Sequence, residues 1–168
     1  MTDRREALSI AITRGLTRVL FRETGRIPQP WPVRRAWVEL AATANRVPRG
    51  LRRSRVHLGG VPADRLEPEG GGDGALLYLH GGAYVEGSSR VQRVAAGRLA
   101  IGAGAIAYAA DYRLAPEHRF PAAFDDSLAA YDALAEQEGP ERVVLTGDSA
   151  GAGLALAVAI RARDEGRP

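Results

Sequence analysis

The 168-residue chain has no cysteine, and all 23 of its basic residues are arginine. Without cysteine there is no disulfide framework and no sign of an oxidising compartment. No stretch approaches the ~20 apolar residues that span a bilayer. The apolar run at residues 155–160 is far too short, and the one at 8–21 is broken by Arg14 and Arg18. No small-residue cleavage site follows it, so it does not read as a signal peptide. The default expectation is a cytoplasmic protein without a membrane span. No group of histidines and carboxylates has metal-ligand spacing, so no metal is expected. Gly102-Ala103-Gly104 precedes an apolar run and does not follow one. It is therefore not a dinucleotide fingerprint, and no cofactor is expected. No internal repeat is visible.

Charge is unevenly spread. Residues 1–55 hold 13 arginines against 4 acids, a net of +9, whereas residues 56–168 carry a net of −6. A basic segment can mark a nucleic-acid or membrane partner. Here the arginines lie along predicted helices with few aromatic partners, which reads as solvated helix faces, so no nucleic acid is expected.

Three segments carry chemistry. Gly147-Asp148-Ser149-Ala150-Gly151 fits the G-x-S-x-G nucleophile elbow. An apolar stretch at 142–145 precedes it and a nearly uncharged helical stretch at 150–160 follows, the strand–turn–helix setting the motif requires. Gly147 and Gly151 keep the turn tight, and the helix start behind Ser149 favours developing negative charge. Upstream, an apolar run at 75–79 ends in His80-Gly81-Gly82-Ala83-Tyr84. A glycine-rich loop after such a strand supplies backbone N–H groups to an oxyanion hole. Between them lies Asp111-Tyr112-Arg113-Leu114-Ala115-Pro116-Glu117.

With these segments in this order, the chain from about residue 55 onward resembles the hormone-sensitive-lipase-like family of α/β-hydrolases, bacterial carboxylesterases and lipases. The family shows an H-G-G-G loop, a D-Y-R-L-A-P-E segment and a G-D-S-A-G elbow. Ala83 and Ala152 stand where the family usually has glycine. The resemblance implies an α/β-hydrolase fold, a mostly parallel sheet with helices on both faces and an N-terminal helical cap. It implies Ser149 as nucleophile toward carboxylic, short-acyl esters. It also implies an oxyanion hole of Gly81, Gly82 and Ala150 amides, with His80, Ala83, Gly147, Asp148 and Gly151 supporting loop and elbow. Asp148 is expected to hold the elbow backbone. Asp111, Arg113 and Glu117 are expected to form ion pairs that fix their loop.

Acyl transfer by serine needs a base and a carboxylate that orients it, and in this fold both follow the serine. No histidine follows Ser149; His57, His80 and His118 all precede it. His57 reads as a satisfied structural histidine and His80 as a loop-shaping one. His118 is not expected to substitute as base. The chain thus reads as residues 1–50, a cap segment, and 51–168, a partial core truncated after the elbow helix. By itself it is expected to be inactive. The alternatives are a non-catalytic relative that binds a small molecule or partner, or a fragment without function. An incomplete sheet edge at 142–145 offers a route to self-association.

Element by element, helices are predicted at 3–21, 33–46, 91–102, 120–138 and 150–163, with a linker at 24–32. Edge strands are predicted at 54–58 and 61–66, and buried strands at 75–79, 103–109 and 142–145. Trp31 and Trp37 are expected to pack the cap onto the body.

Overall fold

The computed structural model describes residues 30–167 together with Ala11 and Gly15. The helix expected at 3–21 and most of the linker at 24–32 lie outside these residues. Backbone contacts divide the chain into two units, Met1–Val33 and Arg34–Pro168. The second carries the sheet and the candidate site.

The first described helix, α1, is Trp31–Ala41, followed by a 3₁₀ turn at Ala42–Ala44. Then come β1 (Leu51–Leu58), β2 (Val61–Pro68), β3 (Ala75–Leu79), α2 (Ser89–Ala103), β4 (Ile106–Ala110), α3 (Ala122–Glu138), β5 (Val143–Gly147) and α4 (Ala150–Asp164). The strands form one sheet in the order β1-β2-β4-β3-β5. β4, β3 and β5 run parallel, and β1 and β2 are antiparallel to their neighbours.

The two central strands are buried on both faces, as parallel strands between helices must be. Every residue of β3 and β4 is buried. Their side chains alternate between two cores. Leu77, Leu79 and Tyr108 face α3 and α4, meeting Tyr131, Leu134, Leu154 and Val158. Leu76, Tyr78, Ala107 and Ala109 face α2, meeting Ala96 and Ala100. The α2 face of β4 is all alanine, which lets that helix lie close. Burying a leucine completely contributes about 1.5–3 kcal/mol, so Leu77, Leu79 and Leu134 anchor the layers.

Three expectations need correction. β2 is not an edge, because it lies between β1 and β4. The cause is Gly59-Gly60, both at positive φ, which close a two-residue hairpin and swing β1 to the outside. His57, on that outer strand, is exposed, and its ring makes no hydrogen bond among the described residues. Trp37 is 63% exposed, so it does not pack a cap onto a body.

Candidate active site

β4, β3 and β5 are neighbours and run in the same direction, so the loops leaving their carboxyl ends converge. Ligands of open α/β sheets bind outside those ends. The three loops are the three segments singled out in the sequence: His80 onward after β3, Asp111 onward after β4, and the elbow after β5.

The elbow has no room to spare. A Cβ on Gly147 would lie 2.5 Å from the Leu79 carbonyl oxygen, and one on Gly151 would lie 2.0 Å from the same atom. Both positions exclude any side chain. Ser149 sits at φ 48°, ψ −119°, ahead of the first residue of α4, and it is exposed. A non-glycine residue there is held in a sparsely populated region, at a cost of about 1–3 kcal/mol. The turn presents its hydroxyl at the sheet edge, with the N-terminus of α4 behind it.

Asp148 ties the elbow to its surroundings. Its Oδ1 accepts the Tyr78 hydroxyl at 2.9 Å and the Gly81 N–H at 2.9 Å. Its Oδ2 accepts Gln92 Nε2 at 3.2 Å. Burial, and then the bond to Asp148, raises the Tyr78 phenol well above its ordinary value. The carboxylate thus links β5, β3, the glycine loop and α2. One expectation changes as a result. The Gly81 N–H is already donated to Asp148, so Gly81 serves the loop and is not free to receive an oxyanion. Among the described residues, the N–H groups of Gly82, Ala83 and Ala150 donate to no protein acceptor.

The glycine loop is tightly wound. Val85 and Glu86 N–H both donate to the Gly82 carbonyl at 3.0 Å. Gly82 has φ 128°, and a Cβ on it would lie 1.9 Å from the Glu86 carbonyl oxygen. Ala83 and Tyr84 follow at φ 51° and 64°, left-handed values that L side chains rarely adopt. His80 is buried, and its ring stacks on Tyr112 at 4.2 Å. Its Nδ1–H donates to the Gly81 carbonyl at 2.8 Å, and the Tyr112 hydroxyl donates to the His80 carbonyl at 2.5 Å. Burial lowers the imidazole pKa, holding the ring neutral. This histidine shapes the loop, with its ring nitrogen bonded to the Gly81 carbonyl and not to Ser149.

Two arginines of α1 grip the same loop. Arg34 makes a bidentate pair with Glu86 at 2.6 and 2.9 Å. Arg35 donates to the carbonyls of Val85 and Ala115, both at 2.6 Å, and to Glu117 at 2.8 Å. Arg113 pairs with Asp126, and Asp111 receives Ser89 and Arg55. These three segment residues are therefore the expected loop-fixing ion pairs. Arg34 and Arg35 depart from the solvated-face expectation, because their partners lie about fifty to eighty residues away. The phenol of Tyr78 gave a readable signal, since a buried hydroxyl needs a partner. Nothing in the sequence pointed to Gln92, Arg34 or Arg35.

Beside the elbow helix lies an apolar cavity of about 410 Å³, lined by Ala83, Tyr84, His118, Phe120, Phe124 and Gly153 among others. His118 thus faces the cavity, but it shares no hydrogen bond with Ser149. Among the described residues no cluster could hold a metal ion, and no helix is long and apolar enough to cross a membrane.

A sequence profile of the alpha/beta hydrolase fold matches residues 76–168. The chain belongs to the α/β-hydrolase family. Its branch is the hormone-sensitive-lipase-like one. A hormone-sensitive lipase from a metagenome library superposes with a TM-score of 0.83 at 37% identity, over 92% of this chain and 53% of that one. An esterase of the bacterial hormone-sensitive lipase family gives 0.79 at 38%, over 89% and 51%. In sequence, an acetyl-hydrolase of Streptomyces hygroscopicus is 46% identical over 67% of this chain and 38% of its own length. Esterase LipI of Mycobacterium tuberculosis is 45% identical over 55% and 31%. The chain therefore spans about half the length of these structures and less than half of these curated relatives.

Proposed function

We propose that this chain carries the nucleophile and oxyanion hole of a carboxylic-ester hydrolase. The observation that carries the reading is the exposed Ser149 at positive φ on a turn that admits no side chain at Gly147 or Gly151. In the proposed reaction the Ser149 Oγ attacks the ester carbonyl carbon. The carbonyl oxygen takes up negative charge, and the free amides of Gly82 and Ala150 receive it, with Ala83 adjoining. Losing one such donor typically costs about 10²–10³ in rate. The alcohol leaves, and water then releases the acid from the acyl-serine. The apolar cavity takes the apolar part of the substrate.

The base that accepts the serine proton is not supplied by His57, His80 or His118. His57 is exposed on the outer strand, His80 is buried against Tyr112, and His118 shares no hydrogen bond with Ser149. The proposal assigns base and orienting acid to a segment outside these 168 residues, so the chain alone is expected to show no enzyme-like turnover. Nucleophile and oxyanion hole without the remaining triad leave about 10³ over water.

The test is hydrolysis of p-nitrophenyl acetate and butyrate by the chain alone and co-expressed with the C-terminal half of a full-length relative. Turnover in the assembly that vanishes with Ser149→Ala is the expected result. A folded assembly that hydrolyses neither ester refutes the proposal and favours a binding role for the same pocket.

A further inference from the structure

Among the described residues, ten line the cavity beside α4, and four of these carry rings, namely Tyr84, His118, Phe120 and Phe124. Most of the other described lining residues are small: Ala83, Ala115, Ala123, Gly153 and Ala157. Volume alone does not choose an occupant. A cavity of about 410 Å³ falls within the range of ordinary small-molecule pockets and admits a linear or a cyclic group. The walls do choose. Rings over small residues leave flat surfaces, and a flat apolar group covers them more completely than a coiled alkyl chain does.

Three further observations point to a built site. Tyr84 is held at φ 64°, in the left-handed region. Bulky residues persist there only when the surroundings over-determine them, and such strain gathers at ligand sites. Gly153 makes room for this ring. A Cβ at Gly153 would lie 3.2 Å from the Tyr84 hydroxyl oxygen, so any side chain there would push into the phenol. Gly153 also stands one helical turn after Ser149, on the side of α4 that lines the cavity. In addition, Phe120 is 89% exposed at the rim, the most exposed large apolar side chain among the described residues. A ring left so open is available to a ligand.

We propose that this cavity selects an aryl group on the ester substrate, with Tyr84 and Gly153 as the determining pair. The inference rests on the ester-hydrolase reading for the word substrate, but the aryl preference is a property of the cavity alone. An aromatic ligand meeting two of these rings would gain about tenfold in affinity over an equally large non-aromatic one.

The test is equilibrium binding to the purified full chain, read by NMR titration. The probes are methyl phenylacetate and methyl octanoate, which have equal numbers of heavy atoms. The octanoate buries at least as much apolar surface, so tighter binding of the phenyl ester cannot come from area alone. The expected result is about tenfold tighter binding of the phenyl ester, lost in Gly153→Leu and weakened in Tyr84→Ala. Each variant is first checked for an unchanged far-UV spectrum and melting transition. Gly153 is exposed on a helix, so leucine there is compatible with folding. Equal or tighter octanoate binding, no binding of either ester, or a folded Gly153→Leu chain with unchanged phenyl-ester affinity would each overturn the proposal. Failure of the hydrolase reading would show instead as missing turnover in the co-expressed assembly, with the phenyl preference intact.

Discussion

Removing the Asp148 carboxylate should cost the molecule more stability than its half-buried position next to Ser149 implies. Three donors converge on it: the Tyr78 hydroxyl and the Gly81 amide at 2.9 Å, and Gln92 at 3.2 Å. A hydrogen bond to a charged group contributes about 1.5–3 kcal/mol, and a buried donor left unpaired costs about 1–3 kcal/mol. Tyr78 is 4% exposed and cannot turn to water. Asp148→Ala therefore removes at least one strong bond and orphans a buried phenol and a loop amide. The expected cost is about 4 kcal/mol, against a total stability of about 5–15 kcal/mol for a domain. Asp148→Asn keeps one oxygen acceptor for Tyr78 and Gly81 but loses the charge and puts an NH2 donor where Gln92 now donates, so about 1–2 kcal/mol is expected. Urea unfolding followed by circular dichroism measures both. Tyr78→Phe completes a double-mutant cycle, in which a coupling of about 1 kcal/mol is expected between the two positions. If Asp148→Ala lies within about 0.5 kcal/mol of the parent, the carboxylate is an ordinary surface group. The account of how loop and elbow are joined then fails.

Three further outcomes follow from other parts of the molecule. Ala83 occupies φ 51°, where a methyl group costs about 1 kcal/mol relative to glycine. Ala83→Gly should raise the melting temperature by about 2–4 °C, and a fall would show that the alanine makes compensating contacts. Burial lowers the His80 pKa, so in the folded state the ring resists protonation that the unfolded chain accepts below about pH 6.5. The unfolded state then binds more protons, and stability falls as pH drops from about 7 toward 5. His80→Gln should flatten that slope in thermal melts, and an unchanged slope would assign it to other groups. Finally, among the described residues β5 pairs only with β3; it has no charged residue and exposes 55% of Val144. Such an edge invites pairing with another chain. Light scattering of the isolated chain should show association that Val144→Lys reduces, and a monodisperse monomer at micromolar concentration would contradict this.

How much of this was legible in the sequence varied with the range of the interactions involved. The strands at Ala75–Leu79 and Ile106–Ala110 announced themselves as short apolar runs, because strands buried on both faces cannot alternate. The elbow was legible because strand, turn and helix are local and the packing there tolerates only glycine. The start of α1 was misread. Pro32 looked like linker, yet it stands in the first turn of Trp31–Ala41, where proline's missing N–H goes unneeded. The position of β2 was legible in principle from Gly59-Gly60, a sequence suited to a two-residue hairpin. The role of Gly81 was not. Its amide is spoken for by a carboxylate 67 residues away, and no local pattern encodes that pairing.

Among the described residues, arginines of the basic first third pair with acids of the remainder. Arg34 meets Glu86 and Arg35 meets Glu117. Arg53 and Arg55 meet the fully buried Asp64, and Arg55 also reaches Asp111. The exposed pair of Arg35 with Glu117 contributes little stability, whereas Arg53 and Arg55 compensate a buried charge on Asp64. The effect of the pairs on the loop is geometric. The loop that presents the Gly82 and Ala83 amides is fixed at its start by Asp148 and Tyr112, at its middle by Arg34 and Arg35, and at its end by Asp111 on Ser89. Lysine could not do the middle part, because Arg35 donates to two carbonyls and a carboxylate from one planar group. Left-handed backbone at two consecutive non-glycine residues, Ala83 and Tyr84, survives only where the surroundings leave no alternative. The arginines of α1 and β1 therefore help hold the glycine loop in its strained shape.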